Sequence, residues 1–158
     1  MADFPEIPIL QRREIEARVL APVYEIMVRE FGEERAKAVL TEAIEKDAMR
    51  AGAAVSAGVA PDKTLRAFID VQPLWTAGGA LEEDVQVATD EEYSYVVTRC
   101  AYAELYTRLG IRDLGEILSC HRDAAFIKGV DPAIEFERDS TIMSGDATCV
   151  FRYRLPKP

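Results

Sequence analysis

Apolar residues in the first half of the chain return every three or four positions. Between Arg12 and Phe31 they fall at Ile15, Val19, Val23, Ile26 and Met27, a helical stripe. Pro22 lies within it and predicts a kink or the start of a second helix. Gly32 closes the segment, and Glu33 and Glu34 place acid at the next helix start, where the macrodipole favours it. From Glu33 to about residue 58, Ala36, Val39, Leu40, Ala43, Ile44, Ala48 and Ala51 keep the spacing. The end of this run, AGAAVSAGVA, has so little bulk that it predicts close helix packing or an early stop near Gly52. After Pro61-Asp62, Leu65, Phe68, Ile69 and Gln72 mark a short third helix that stops before Pro73. Residues 1–10, with Pro5 and Pro8, read as an extended arm.

Beyond Gly78-Gly79 the period shortens to two. Val85 and Val87, then Tyr93, Tyr95 and Val97, alternate with polar residues across Thr89-Asp90-Glu91-Glu92. This predicts a hairpin of residues 83–90 with 92–99. Residues 100–109 return to helix and end at Gly110, and a second helix is expected from Asp113 to Lys128, ending at Gly129. Residues 133–141 and 148–155 form another hairpin around Ser144-Gly145-Asp146. The sum is a single α+β domain over residues 1–158, with a helical part (1–75) and a hairpin–helix–helix–hairpin part (80–155). One four-stranded antiparallel sheet, with the helix pair between its hairpins and a helical layer on one face, would bury the alternating strands.

Composition narrows the function classes. A net charge of −9 without a Lys/Arg cluster argues against a nucleic-acid partner. No stretch approaches the roughly 18 apolar residues that a membrane span needs, so no membrane partner is expected. Acid and proline precede any apolar run at the N-terminus, unlike a signal peptide. With an odd number of cysteines, this points to reduced thiols and a cytoplasmic location. A homodimer is the default expectation for a soluble enzyme.

The candidate chemistry is concentrated late in the chain. The three cysteines are Cys100, Cys120 and Cys149; residues 1–99 contain none. Thiols are strong nucleophiles and soft metal ligands. Cys100 falls where a strand should become a helix, so the macrodipole, helped by Arg99, would lower its pKa; the alternative is a small buried residue at a tight junction. Cys120 and Asp123 are three apart on a helical face shared with Ile117 and Ile127. A carboxylate on that apolar face must find a partner or a function: it could take a proton from a thiol or water, or pair with a neighbouring arginine. Cys149 shares strand parity with Phe151, Tyr153 and Leu155, the inward side. On the partner strand Ile134 and Phe136 point inward, and the next position of that parity is Arg138. An inward arginine needs an anion, supplied by Asp123, by Glu104 or by a ligand carboxylate. His121, the only histidine, lies well round the helix from Cys120 and is expected to face solvent. The wide spacing of the cysteines offers no zinc knuckle, leaving a Cys₃ site with Asp123 or His121 as the remaining metal geometry. No metal or cofactor is expected. There is no glycine-rich phosphate loop and no serine nucleophile elbow.

The segments TRCAYAELYTRLG, LGEILSCHRDAAF and DPAIEFERDSTIMSGDATCVFRY, over about residues 93–153, resemble the L-2-amino-thiazoline-4-carboxylic acid hydrolase family. The order of the three cysteines with Asp123, Arg138, Gly145 and Phe151 carries the resemblance. Members often carry an acidic residue where Val150 stands. The resemblance implies hydrolysis of a cyclic amidine to N-carbamoyl-cysteine, within a bacterial route to L-cysteine. A thiolate or an activated water would attack the ring carbon between nitrogen and sulfur. Cys100, Cys120, Cys149 and Asp123 are then the candidate catalytic residues, and Arg138 and Arg99 the candidate contacts to a small carboxylate-bearing substrate. The alternative is a small-molecule or metal-binding, redox-sensing module whose thiols ligate without turnover.

Overall fold

The computed structural model describes residues 7–157. Residues 1–6 of the expected arm lie outside the described residues, and the helix already begins at Ile9. Helix α1 (Ile9–Phe31) and α2 (Glu33–Ser56) meet at Gly32, whose φ of 86° lies where only glycine is at ease. Pro22 sits inside α1 without dividing it. The stripe Ile15, Val19, Val23 and Ile26 keeps its period but faces solvent, with Val19 60% exposed. The inward side carries Ala17, Leu20 and Tyr24 together with Arg13 and Glu16. That inner face is partly charged because Arg13 and Glu16 border a cavity.

Helix α3 (Thr64–Val71) and the single turn α4 (Pro73–Thr76) lead into β1 (Leu81–Ala88) and β2 (Glu92–Cys100). Helix α5 (Ala101–Arg108) follows β2 without a break. The expected helix from Asp113 is composite: α6 (Arg112–Gly115), a π-helical turn (Glu116–Cys120) and α7 (His121–Val130) run on from one another. Strands β3 (Glu135–Arg138) and β4 (Cys149–Arg154) are shorter than the alternation predicts. The loop between them is tied by its own groups: the Thr141 amide donates to Asp146 Oδ2 (2.9 Å), and the Asp146 amide donates to the Thr141 carbonyl (3.1 Å).

The strands form one antiparallel sheet in the order β1-β2-β4-β3, so β2 and β4 join the two hairpins at the centre. Register sets Tyr95 opposite Phe151, Val97 opposite Cys149, and Arg138 opposite Phe151. The pairing of β1 with β2 skips Thr98 opposite Glu82/Glu83 and Gln86 opposite Tyr95/Ser94. Val85 stays opposite Tyr95, on the expected side, but on this edge strand it is left exposed, and Glu83, on the same face, accepts a hydrogen bond from Gln72 Nε2 (3.5 Å).

Helices α2 and α7 cross on glycine. A Cβ on Gly52 would run into the Phe126 carbonyl oxygen, and one on Gly129 into the Met49 carbonyl oxygen. The small-residue run in α2 thus gives close packing, and α2 continues past Gly52 to Ser56. Two apolar clusters result. One joins Leu65, Phe68 and Phe126 to the inner sheet face; the other joins Leu40, Ile44, Tyr106, Leu114 and Leu118. Among the described residues, no helix is long and apolar enough to cross a membrane.

Candidate active site

Between the helical layer and the sheet lies a cavity of about 650 Å³. Each of the three cysteines lines it, together with Asp123 and Arg138. Five elements bring them there. Cys100 is the last residue of β2 and the N-cap of α5. Cys120 ends the π turn, Asp123 follows in the first turn of α7, and Cys149 opens β4. Arg138, at the end of β3, reaches across the sheet face to Asp123.

That reach is the centre of the site. Arg138 Nη1 donates to Asp123 Oδ2 (2.6 Å) and to the Cys120 carbonyl (3.0 Å). Its guanidinium carbon sits 5.9 and 5.8 Å from the ring centroids of Phe136 and Phe151. Two aromatic rings hold the plane, and one carboxylate neutralises it. Asp123, the first of the three anions named above, is thus the partner of Arg138, while Glu104 pairs with Arg99 (2.7 Å). Nε and Nη2 of Arg138 donate to no group among the described residues, so the fork keeps free N–H groups on a cavity wall.

Arg99 does not belong to this site. It stands on the opposite face of β2, exposed, tied to Glu104 and to the Gly79 carbonyl (3.1 Å). The skipped Thr98 is the reason: plain alternation would set Arg99 on the side of Val97, and the bulge gives that side to Cys100 instead. His121, expected to face solvent, is half-buried, and its Nδ1 is enclosed without a hydrogen-bond partner among the described residues. The wider π turn changes the angle by which His121 follows Cys120. Val150, where family members often carry acid, lies on the far side of β4 from Cys149.

Burial governs the ionisation of the site. Desolvation pushes the Asp123 carboxyl up to about 6, against the pull of Arg138 and, farther off, Arg13 and Arg122. Its side chain keeps 28% of its surface, but it lines the cavity, so that accessibility coexists with desolvation. Cys100 is pushed up to about 11, again by burial. The Ala103 and Tyr102 amides favour its thiolate without completing a cap hydrogen bond, and they do not outweigh the lost water. The expected lowering of this thiol therefore fails: α5 offers only two turns of dipole, and Arg99 points away. Burial and then the Asp123 charge raise Cys120, and burial raises Cys149 although the Ile142 amide donates to its sulfur (3.2 Å). The site thus holds protonated thiols around a carboxyl poised near neutrality.

The helical first half supplies more of the wall than its pattern suggests. Arg122, 9% exposed, donates to Glu16 (3.0 Å), Asp47 (2.9 Å) and the Leu118 carbonyl (2.8 Å). Arg13 donates through Nη1 to both oxygens of Glu16 (2.9 and 3.1 Å). Two arginines thus share one carboxylate on the cavity wall beside Asp123. Ser119 completes this side, bonded to the Tyr106 hydroxyl (2.7 Å). The sequence signal for Arg122 was its position: it is four residues after Leu118 and four before Phe126, on a buried face. Among the described residues, no group of three or more His, Cys, Asp and Glu side chains is placed to hold a metal ion.

A thiol-lined cavity with an Asp–Arg pair at the junction of α7 and β3 is where the family motifs converge, and the family model extends over both halves of the chain, matching residues 12–153. The chain belongs to the L-2-amino-thiazoline-4-carboxylic acid hydrolase family. The family is named for a hydrolase, and its reach includes α1 and α2, which carry Arg13, Glu16 and Asp47. No curated protein sequence matches the chain. Among solved structures, it is similar to a trafficking protein particle complex subunit 3 from Naegleria fowleri, covalently bound to palmitic acid. That likeness has a TM-score of 0.51 at 15% identity and covers 92% of this chain and 96% of that one. The phenol-responsive sensory domain of the transcription activator PoxR, with phenol, is similar at a TM-score of 0.51 and 11% identity, over 88% of this chain and 73% of that one. At such identities the likeness is one of fold.

Proposed function

We propose that the protein hydrolyses a cyclic amidine of the 2-amino-thiazoline-4-carboxylate type, with Asp123 as the general acid–base. The observation that carries this reading is the Asp123–Arg138 pair on the wall of the cavity, with the carboxyl raised to about 6 by desolvation. A carboxyl in that range can both take and return a proton near neutral pH. In the proposed reaction a water adds to the ring carbon between nitrogen and sulfur while Asp123 takes its proton. The C=N electron pair goes to the ring nitrogen, which takes the remaining proton of the added hydroxyl as the C=O forms. The C–S bond breaks, its electron pair leaves with sulfur, and Asp123 returns its proton there. The product is an N-carbamoyl amino acid bearing a free thiol. Arg138 offers Nε and Nη2 to the substrate carboxylate, as one arm of a fork.

Protonated thiols favour water over a cysteine as the nucleophile. Cys100, Cys120 and Cys149 then act as soft, neutral contacts around the ring sulfur. The test is release of thiol from the thiazoline acid, followed with a disulfide dye. Asp123→Asn should lower kcat by about 10²-fold or more, while each Cys→Ser variant stays within about tenfold of wild type. No turnover by the wild type would overturn the hydrolase reading. A Cys→Ser variant as inactive as Asp123→Asn, with a covalent adduct at that sulfur in the wild type, would overturn the water route.

A further inference from the structure

The cavity is much larger than the ring it is proposed to open. The thiazoline acid has about nine non-hydrogen atoms, and even if each claimed the ~30 Å³ of a liquid water it would fill less than half the space. The cavity measures about 650 Å³. The surplus has a distinct chemistry. The charged groups gather on one side, where Arg138, Arg13 and Arg122 all bear on Asp123. Toward α3 and α4 the wall is instead Val55, Phe68, Val71, Trp75 and Phe126. Phe126 joins this wall into one apolar surface, 5.1 Å from Trp75 and 6.1 Å from Phe68 between ring centroids. Leu74, exposed at 53%, lines the same end, so the apolar side reaches the surface there.

We infer that this site takes a carboxylate carrying an extended apolar body, with the head at Arg138 and the body along Val55, Phe68, Val71 and Trp75. The inference rests on the hydrolase reading only for the identity of the head group; the binding itself does not require turnover. Apolar walls reward each buried methylene by transfer from water, whereas the cavity's charged side rewards only the head. A bare thiazoline acid would leave the apolar end filled by water that Val55, Phe68, Val71 and Phe126 cannot hydrogen-bond.

Trp75 is the only tryptophan and reports on this end directly. The experiment titrates the whole protein with straight-chain carboxylates, butanoate through dodecanoate, and with the matching alcohols, following Trp75 emission. Affinity should tighten about threefold to fourfold per added methylene until the cavity is filled, with a blue shift of the emission. Arg138→Gln should weaken the carboxylates by about tenfold or more and leave the alcohols unchanged. Val55→Phe should bind butanoate as wild type does and lose the gain from longer chains, which separates lost volume from misfolding. Equal affinity along the series, with unmoved emission, would overturn the proposal. So would carboxylates that are indifferent to Arg138→Gln. Turnover of the bare thiazoline acid together with a flat series would sink this inference and leave the hydrolase reading standing. A rising series with no thiol release from any thiazoline acid would do the reverse.

Discussion

Replacing Asp123 by asparagine keeps the shape of the side chain and an oxygen for Arg138 Nη1, and removes only the charge. The carboxyl moves from its ordinary 3.8 to about 6 in the folded protein, which corresponds to roughly 3 kcal/mol against the ionised form even with Arg138 beside it. Because the folded state holds this proton more tightly than the unfolded chain, the stabilising contribution is complete below pH 3.8. It is lost as the pH rises through about 6. An asparagine side chain is neutral at every pH and has no such proton to lose. The Asp123→Asn protein should therefore match the wild type near pH 4 and exceed it by roughly 3 kcal/mol above pH 6. The shifts of the three thiols are all upward from 9.0, so they do not disturb this window. Urea unfolding followed by Trp75 emission, at a series of pH values from 4 to 8, measures it. At a slope of about 2 kcal/mol per molar, the midpoint should rise by about 1.5 M at pH 7. The same variant should lose turnover, the pairing of gained stability with lost activity expected of an active-site charge. A variant less stable than wild type at pH 7, with parallel curves between pH 4 and 6, would show that the Arg138 pair outweighs burial and would refute the reasoning.

Two further outcomes follow from the same structure. With Cys100 pushed up to about 11, its thiolate fraction at pH 8 is about 100-fold below that of an ordinary cysteine. Iodoacetamide labelling read by mass spectrometry should be slowed to that extent at Cys100, and should become fast at all three cysteines in urea; a fast thiol in the native protein would contradict burial. Gly52→Ala drives a methyl into the Phe126 carbonyl and should cost about 3 kcal/mol or more, read as a fall in Tm; an unchanged Tm would mean that α2 and α7 can part without loss.

The periodic elements were legible in the sequence. The switch from a period of three or four to a period of two located both hairpins, and strand parity placed Cys149 and Arg138 on one face. Arg138 was readable because an inward charge on an apolar face leaves few options, and Asp123 is the option taken. Periodicity could not say which side of α1 is inside. Ile15 and Val19 look like core residues, yet the neighbouring face with Arg13 and Glu16 lines the cavity. A cavity has no residues of its own, so charged side chains around it read as surface. The π turn was equally silent, because an added residue in a helix leaves the composition of the segment unchanged. The direction of the Cys100 shift was missed for a related reason: the helix start is a local feature, whereas desolvation depends on segments far away in the chain, Leu81 among them.

The π turn also marks a boundary. Upstream of it and within it, Leu114, Ile117 and Leu118 belong to one apolar cluster; downstream, Ala125, Phe126 and Ile127 belong to the other. The change of phase lets one continuous helical run serve two separately packed bodies, and Leu81, Cys100 and Ile142 touch both. The cavity opens along that seam, with Phe68 and Phe126 from one body facing Tyr102 and Met143 from the other. An occupant spanning the seam would supply the packing that the chain itself omits there. Alone, the chain presents two apolar clusters that meet along this seam, and an occupant would join them across it.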